Sequence, residues 1–273
     1  MPDLRYRQLF IPLFTVTLAG LSLFAAEPAP PIPEVTRELQ AAKLLETTLA
    51  AKGATGEEWA KMDAIYTDLA RRYPGEPALL LAHAEMLSER GAQDRAEALL
   101  RKALAIDPKS APVLFQLGVC ALANGKAKEA ASFYRQAVTA SPETARYHHN
   151  LANLLYLFRH ELLDAEHADA EALITRAMEH YATAARLEPQ NSEYAKSYAE
   201  TFFGQAKPDW DAAAKAWESY IAVSANKDFG YANLARVFMK AGKKAEARDA
   251  LGKMSTAEFA PLRKRLEARL ATE

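Results

Sequence analysis

The sequence is poor in cysteine and has no excess of charge of either sign. Its 273 residues include a single cysteine, Cys120, so no disulfide can form within the chain. The neighbours Val119, Ala121 and Leu122 indicate that Cys120 is a small buried apolar residue. Lysine and arginine number 34 and aspartate and glutamate 35. This balance argues against nucleic acid as a partner, because binding to phosphates requires an excess of positive charge.

Motifs for catalysis and for metal binding are also scarce. The sequence contains no glycine-rich phosphate-binding loop and no serine nucleophile elbow. His160 and Asp164 stand one helical turn apart, and His160-Glu161 begins like the zinc-protease motif, but Asp164 replaces the second histidine. We therefore predict a protein that is not an enzyme, with no catalytic residues, no metal site and no cofactor. A metal-dependent enzyme is the most remote alternative.

Long apolar runs are missing except near the start of the chain. Leu9 to Phe24 is a stretch of 16 residues without a charge, shorter than the roughly 20 residues that span a membrane. Arg5 and Arg7 precede it and Ala26 closes it, an order typical of a secretory signal peptide. Residues 1–26 are therefore predicted to be an export signal. An uncleaved N-terminal membrane anchor is the rival interpretation.

The segment that follows the predicted signal is rich in proline. Residues 27–33 include four prolines, which favour an extended backbone and form no packed core. We predict that this segment is a linker and that the part of the chain beyond it lies in the periplasm. Membrane contact is then expected only through the N-terminal segment.

What the sequence does contain is an internal repeat. Pro74, Pro108 and Pro142 lie 34 residues apart. Other positions keep the same step, namely Gly91 with Gly125, Ala96 with Ala130, and Ala103 with Ala137. A fixed period of this length indicates an array of small supersecondary units, each of which buries its apolar face against a neighbour.

Each repeat unit is predicted to be a pair of helices. Between Pro108 and Pro142, apolar residues recur at helical spacing in two runs. The first run ends at Asn124-Gly125, and the second ends before Pro142, because the residue preceding a proline is disfavoured in the α region. Small residues such as Gly118 and Ala130 stand where the two helices of a unit approach each other.

These positions resemble the motif of the tetratricopeptide repeat (TPR) family. The matching residues are Leu114, Leu117, Gly118, Ala121, Ala130, Tyr134, Ala137 and Pro142, and one unit earlier Leu80, Ala84, Leu87, Ala96, Leu100, Ala103 and Pro108. The resemblance implies an all-α fold, a right-handed superhelical solenoid of five to six helical hairpins over residues 34–273. The predicted units lie near residues 34–76, 77–110, 111–144, 145–191, 192–227 and 228–254, with a capping helix in 255–273.

The unit at 145–191 is longer than the others. Pro142 and Pro189 are 47 residues apart, 13 more than the usual 34, and no glycine or proline lies between them. We expect the extra residues to lengthen the helices of this hairpin, with its turn near 167–169. The hairpin should then project beyond its neighbours.

The resemblance also implies a concave groove lined by the first helix of each unit. The inward positions correspond to Phe115, Arg146, His149, Asn150, Asn153, Tyr156, Lys196, Phe203, Asn233 and Arg236. Amides there could hold a peptide backbone, cations could meet carboxylates, and aromatic rings could anchor apolar side chains. The family's clamp for a terminal carboxylate is not reproduced. A competing interpretation is that several of these residues contact only one another, above all Lys196 and Glu200, which are one helical turn apart.

The sequence therefore predicts a non-catalytic adaptor of the bacterial cell envelope that binds a protein or peptide in this groove. The alternative is a structural assembly subunit of a larger envelope or secretion complex.

The export signal has a direct test. We expect the protein in the envelope fraction to begin after Ala26, because a signal peptide is removed during export. N-terminal sequencing of the protein purified from that fraction measures this. Retention of Met1 would instead indicate an uncleaved anchor.

Overall fold

The computed structural model describes residues 33–166 and 168–272, which form an array of α-helices without a strand. The predicted signal, residues 1–26, and all of the predicted linker except Pro33 lie outside the described residues. The helices are α1 (Glu34–Ala51), α2 (Gly56–Arg72), α3 (Pro77–Glu89), α4 (Gln93–Ile106), α5 (Ala111–Ala123), α6 (Ala127–Ala140), α7 (Ala145–Leu157), α8 (Arg159–Glu166), α9 (Ala170–Leu187), α10 (Ser192–Thr201), α11 (Trp210–Val223), α12 (Lys227–Lys240), α13 (Lys244–Gly252) and α14 (Ala260–Thr272).

Successive helices pack into hairpins, and each hairpin packs against the next. The pairs are α1 with α2, α3 with α4, α5 with α6, α7 with α9, α10 with α11, and α12 with α13, and α14 packs against the last pair. The core runs along the array as a series of apolar clusters that include the fully buried Tyr66, Leu100, Leu151 and Trp217. The predicted all-α solenoid is therefore confirmed.

The repeated glycines and prolines end the helices. Gly91 and Gly125 have φ angles of 78° and 71°, in the left-handed region that glycine adopts without strain. After Gly125 the Lys126 N–H donates to the Ala121 carbonyl at 2.8 Å, which closes a Schellman motif at the end of α5. Pro108 follows the C-cap of α4 and prevents this helix from continuing.

The small residues of the repeat mark the closest approach of the two helices in a hairpin. Ala130 is fully buried. A Cβ atom placed on Gly118 would lie 2.4 Å from Cε1 of Tyr134. The aromatic ring of α6 thus fills the space that the missing side chain leaves on α5, so the close packing at this point depends on the glycine at residue 118.

The long unit differs from the expectation. The first helix is not lengthened, because α7 ends at Leu157 and the chain bends at Phe158 into the separate helix α8. Only the second helix, α9, is longer than its counterparts, with 18 residues against 14 in α4 and α6. Asp169 caps α9 by accepting the Ala172 N–H at 2.7 Å.

The predicted projection is also corrected, because α8 folds back onto the array. Leu162 of α8 is fully buried, and α8 packs against α6, α7 and α9. The largely buried carboxylate of Glu166 accepts a hydrogen bond from Arg135 of α6 and lies 3.4 Å from Nη1 of Arg176 of α9. The extra residues therefore cover the outer helices of two adjacent hairpins.

The closeness of the α5–α6 seam leads to a stability prediction. Gly118→Ala should lower the free energy of unfolding by about 1–3 kcal/mol, because the new methyl group would overlap the Tyr134 ring and overpack the seam. Gly252→Ala is the matched control, since a Cβ there meets no atom within 4 Å and its φ is not positive. Urea unfolding followed by circular dichroism measures both. Equal stability of the two variants would contradict the assigned role of Gly118.

Candidate functional site

The first helices of the hairpins share one face of the array, and a cavity of about 810 Å³ opens on this face near its beginning. We call this cavity the amino-terminal chamber. It is lined by side chains of α1, α3 and α5 that include Thr47, Glu85, Glu89 and Val119, and by Arg146 of α7. Its polar and apolar surface is mixed, and its volume falls in the range of small-molecule and peptide side-chain sites.

The predicted groove residues Phe115 and Arg146 meet at the edge of this chamber. The Arg146 guanidinium lies 4.4 Å from the centroid of the Phe115 ring. Phe115 is buried and stacks on Tyr134 and Tyr147 with centroid distances of 5.4 and 5.0 Å. The Phe115 ring thus lies at the base of the wall, and the Arg146 guanidinium that covers it is the group exposed to the chamber.

The other walls of the chamber contain three acidic side chains, Glu46, Glu85 and Glu89. The Tyr66 hydroxyl donates to Glu46 at 2.6 Å, and burial raises the pKa of the Glu46 carboxyl above its ordinary value. Glu85 accepts a hydrogen bond from Nε2 of Gln116 at 3.1 Å and pairs with Lys43 at 3.7 Å. The sequence-based prediction did not include Glu46 and Thr47, because the matching motif residues were those of the units at 77–110 and 111–144 and not of the unit that contains α1.

The predicted residues in the middle of the face are close together but bonded to one another. The Tyr181 hydroxyl donates to Oδ1 of Asn153 at 2.7 Å, and the Asn153 amide lies 3.5 Å from Nδ1 of His149. His149 is buried, its other ring nitrogen lies 3.0 Å from the Ser197 hydroxyl, and burial lowers its pKa. These groups link α7 to α9 and α10, in agreement with the interpretation that part of the predicted set satisfies itself.

Three further predicted residues, Asn150, Tyr156 and Lys196, differ in what they contact. Asn150 donates its amide to the carbonyl of Arg146 on its own helix at 2.8 Å. The Tyr156 hydroxyl packs so closely on Gly204 that a Cβ there would lie 2.5 Å away. Lys196 is partly exposed and forms no close ion pair with Glu200 in the described part of the chain. Burial raises the pKa of the Glu200 carboxyl, and the nearby charge of Lys196 opposes this shift.

The last predicted residues meet around a second cavity, of about 470 Å³, between α12 and α14. We call it the carboxyl-terminal chamber. The Arg236 guanidinium donates to Oδ1 of Asn233 at 2.9 Å and lies 4.9 Å from the centroid of the Phe203 ring. Arg265 of α14 also lines it. The sequence predicted a capping helix in 255–273, and the position of Arg265 in a chamber was not predicted.

The described residues contain neither a cluster of metal ligands nor a membrane-spanning helix. Within 33–166 and 168–272, no three histidine, cysteine or carboxylate side chains cluster as metal ligands. None of the described helices combines the length and the apolar character that crossing a membrane requires.

Comparison with known proteins agrees with the helical-repeat architecture. Residues 87–155 match the tetratricopeptide repeat family model. This segment spans the end of α3, all of α4, α5 and α6, and most of α7. The Gly118–Tyr134 seam and the Phe115–Arg146 contact of the amino-terminal chamber both lie within it. A search of curated proteins finds no match.

Solved structures show the same fold over a larger part of the chain. The crystal structure of YrrB, described as a TPR protein with an unusual peptide-binding site, has a TM-score of 0.57 at 17% identity, covering 72% of this chain and 92% of YrrB. The pilF protein of Pseudomonas aeruginosa has a TM-score of 0.60 at 16% identity, covering 88% of this chain and 100% of that one. The C-terminal part of a TPR repeat-containing protein from Cytophaga hutchinsonii has a TM-score of 0.59 at 11% identity, covering 81% and 78%. The fold is therefore an all-α TPR solenoid.

The hydrogen bonds among Tyr181, Asn153 and His149 in the middle of the face lead to a prediction about stability and not about binding. Asn153→Ala should lower the free energy of unfolding by about 1–3 kcal/mol, because the buried Tyr181 hydroxyl loses its acceptor. Asn150→Ala, whose amide bonds only to its own helix, should change it by less than about 0.5 kcal/mol. Thermal and urea unfolding measure both variants. If the Asn153→Ala variant is as stable as the Asn150→Ala control, the hydrogen bond from Tyr181 to Asn153 does not contribute to stability.

Proposed function

We propose that this protein is a non-catalytic adaptor that binds an extended peptide or a segment of another protein in its concave groove. The observation that carries the proposal is the amino-terminal chamber, an open volume of about 810 Å³ on the face shared by the first helices. Its walls offer carboxylates, an amide and an arginine-covered aromatic ring within a single cavity. Such a mixture can bond a peptide backbone and hold both charged and apolar side chains.

The shape of the fold and a similar solved structure support this function. Stacked hairpins provide a long curved surface, and solenoids use such surfaces to bind extended ligands. YrrB, one of the similar structures, is described as having a peptide-binding site. The proposed ligand is a protein or peptide, and the proposed mechanism is reversible binding with no chemical step.

The proposed place of action is the bacterial cell envelope. The support is the order of Arg5 and Arg7, an uncharged run and two alanines at the start of the chain, which is typical of an export signal. An adaptor exported in this way would meet its ligand in the periplasm.

The groove can be tested with a random peptide library displayed on phage. We expect selected peptides to bind the full chain, and Val119→Arg to weaken their binding at least tenfold, because the long cationic side chain fills the amino-terminal chamber. Thr47→Trp, on the wall formed by α1, should have the same effect through bulk alone. Fluorescence anisotropy with the selected peptides measures the dissociation constants.

Ala123→Arg is the matched control, because it adds the same side chain to the exposed end of α5 outside the chamber. It should leave the affinity unchanged. The proposal fails if the library yields no binding peptide, or if Ala123→Arg weakens binding as much as Val119→Arg. Far-ultraviolet circular dichroism of each variant confirms that the helices are intact.

A further inference from the structure

The two chambers differ in the charged side chains that line them. Glu46, Glu85 and Glu89 line the amino-terminal chamber, together with Lys43 and Arg146. The carboxyl-terminal chamber is lined by arginines and, among the described residues, by no acidic side chain. Among the described residues, the charged side chains that line the second chamber are all arginines, so the chemistry of the two chambers differs.

The arginines of the carboxyl-terminal chamber stand above an apolar floor. Phe229 and Ala232 of α12 and Leu262 and Leu266 of α14 form this floor, and the volume of about 470 Å³ is enough for one or two side chains. Because the surrounding medium is partly apolar, an ion pair formed here is less screened than one on an open surface.

Arg236 is held in place before any ligand arrives. Its Nη1 donates to Oδ1 of Asn233 at 2.9 Å, and the Asn233 amide donates to the Phe229 carbonyl at 3.0 Å. The Phe203 ring lies beneath the guanidinium, with the centroid at 4.9 Å. An arginine that is already oriented loses less conformational entropy when it binds a carboxylate.

The opposite wall is fixed to α12 through a carboxylate. Oδ2 of the buried Asp228 accepts the N–H groups of Ser255 and Thr256 at 3.0 and 2.8 Å and the Thr256 hydroxyl at 2.7 Å. These bonds anchor the segment that leads into α14. Leu266 and Leu270 of α14 are buried in the same core, so Arg265 projects from a wall of fixed position.

We propose that the carboxyl-terminal chamber binds an acidic peptide segment, with glutamate or aspartate carboxylates on Arg236 and Arg265 and a neighbouring apolar side chain on the floor. The inference rests on the proposed function and deepens it, because it assigns a ligand chemistry to one end of the groove. Charge complementarity selects this occupant: an arginine guanidinium forms paired hydrogen bonds with a carboxylate, and Arg236 and Arg265 both line the chamber.

The test uses the full chain and a fluorescent peptide of alternating glutamate and leucine with both ends blocked. We expect this peptide to bind at least about tenfold more tightly than its glutamine counterpart and its lysine counterpart, because each charge-assisted bond adds the free energy of roughly a tenfold change in affinity. Fluorescence anisotropy measures the dissociation constants. Raising the salt concentration should weaken binding of the glutamate peptide and leave the glutamine peptide unaffected.

Arg265→Gln should weaken binding of the glutamate peptide about tenfold. The matched control is Lys264→Gln, which removes the same charge from the adjacent position of α14 but does not line the chamber, and it should change the affinity less than twofold. Arg236→Gln provides a second variant on the opposite wall. Circular dichroism shows whether each variant retains its helices.

Several outcomes overturn the inference. Equal binding of the glutamate and glutamine peptides would remove the role of the carboxylates. Equal losses in Arg265→Gln and Lys264→Gln would indicate general attraction to a basic helix. Library peptides that bind in a Val119-dependent way while no glutamate peptide binds would refute this inference and leave the adaptor function intact. Failure of every peptide would refute both.

Discussion

The structure depends on the close approach of two antiparallel helices at positions where a side chain is small or missing. Gly118 lets the Tyr134 ring occupy the place of a side chain within the α5–α6 hairpin. Gly230 of α12 does the same for Ile221 of α11, where one hairpin packs on the next and a Cβ would lie 2.4 Å from Cγ1. Glycines therefore allow close approach both within a hairpin and between hairpins. Because the apolar face of one hairpin is covered only by its neighbour, the core is continuous, and the first helices are left to form one common surface.

That surface is organised by arginines that cover aromatic rings of a preceding element. Arg146 lies over Phe115 near one end, and Arg236 lies over Phe203 near the other. In both cases the ring is packed into the array and the cation is presented outward. The ring contributes burial to the fold, and the guanidinium retains donors that can bind a ligand. Under the proposed function, one pair of side chains contributes to both stability and binding.

Much of the architecture could be predicted from the sequence, and the candidate site only in part. Pro108, Gly125 and Ala130 act through local backbone geometry or through contact with the partner helix, so their spacing reveals the hairpins directly. Asn153 shows the limit for the site. Its register places it on the inward face, but Tyr181, 28 residues away, occupies its carbonyl, and no local pattern reports such a contact.

By itself the sequence determined the repeat period, the all-α class and the helix-ending glycines, because these follow from interactions within about one turn or one repeat. The tertiary structure alone decided where the extra residues of the long unit go and how charge is divided along the face. Helix α8 packs against α6 through Leu162 and Glu166, and Arg265 joins Arg236 across two helices. Both results depend on which surfaces the stacking leaves uncovered, and that is set by the packing of the whole array.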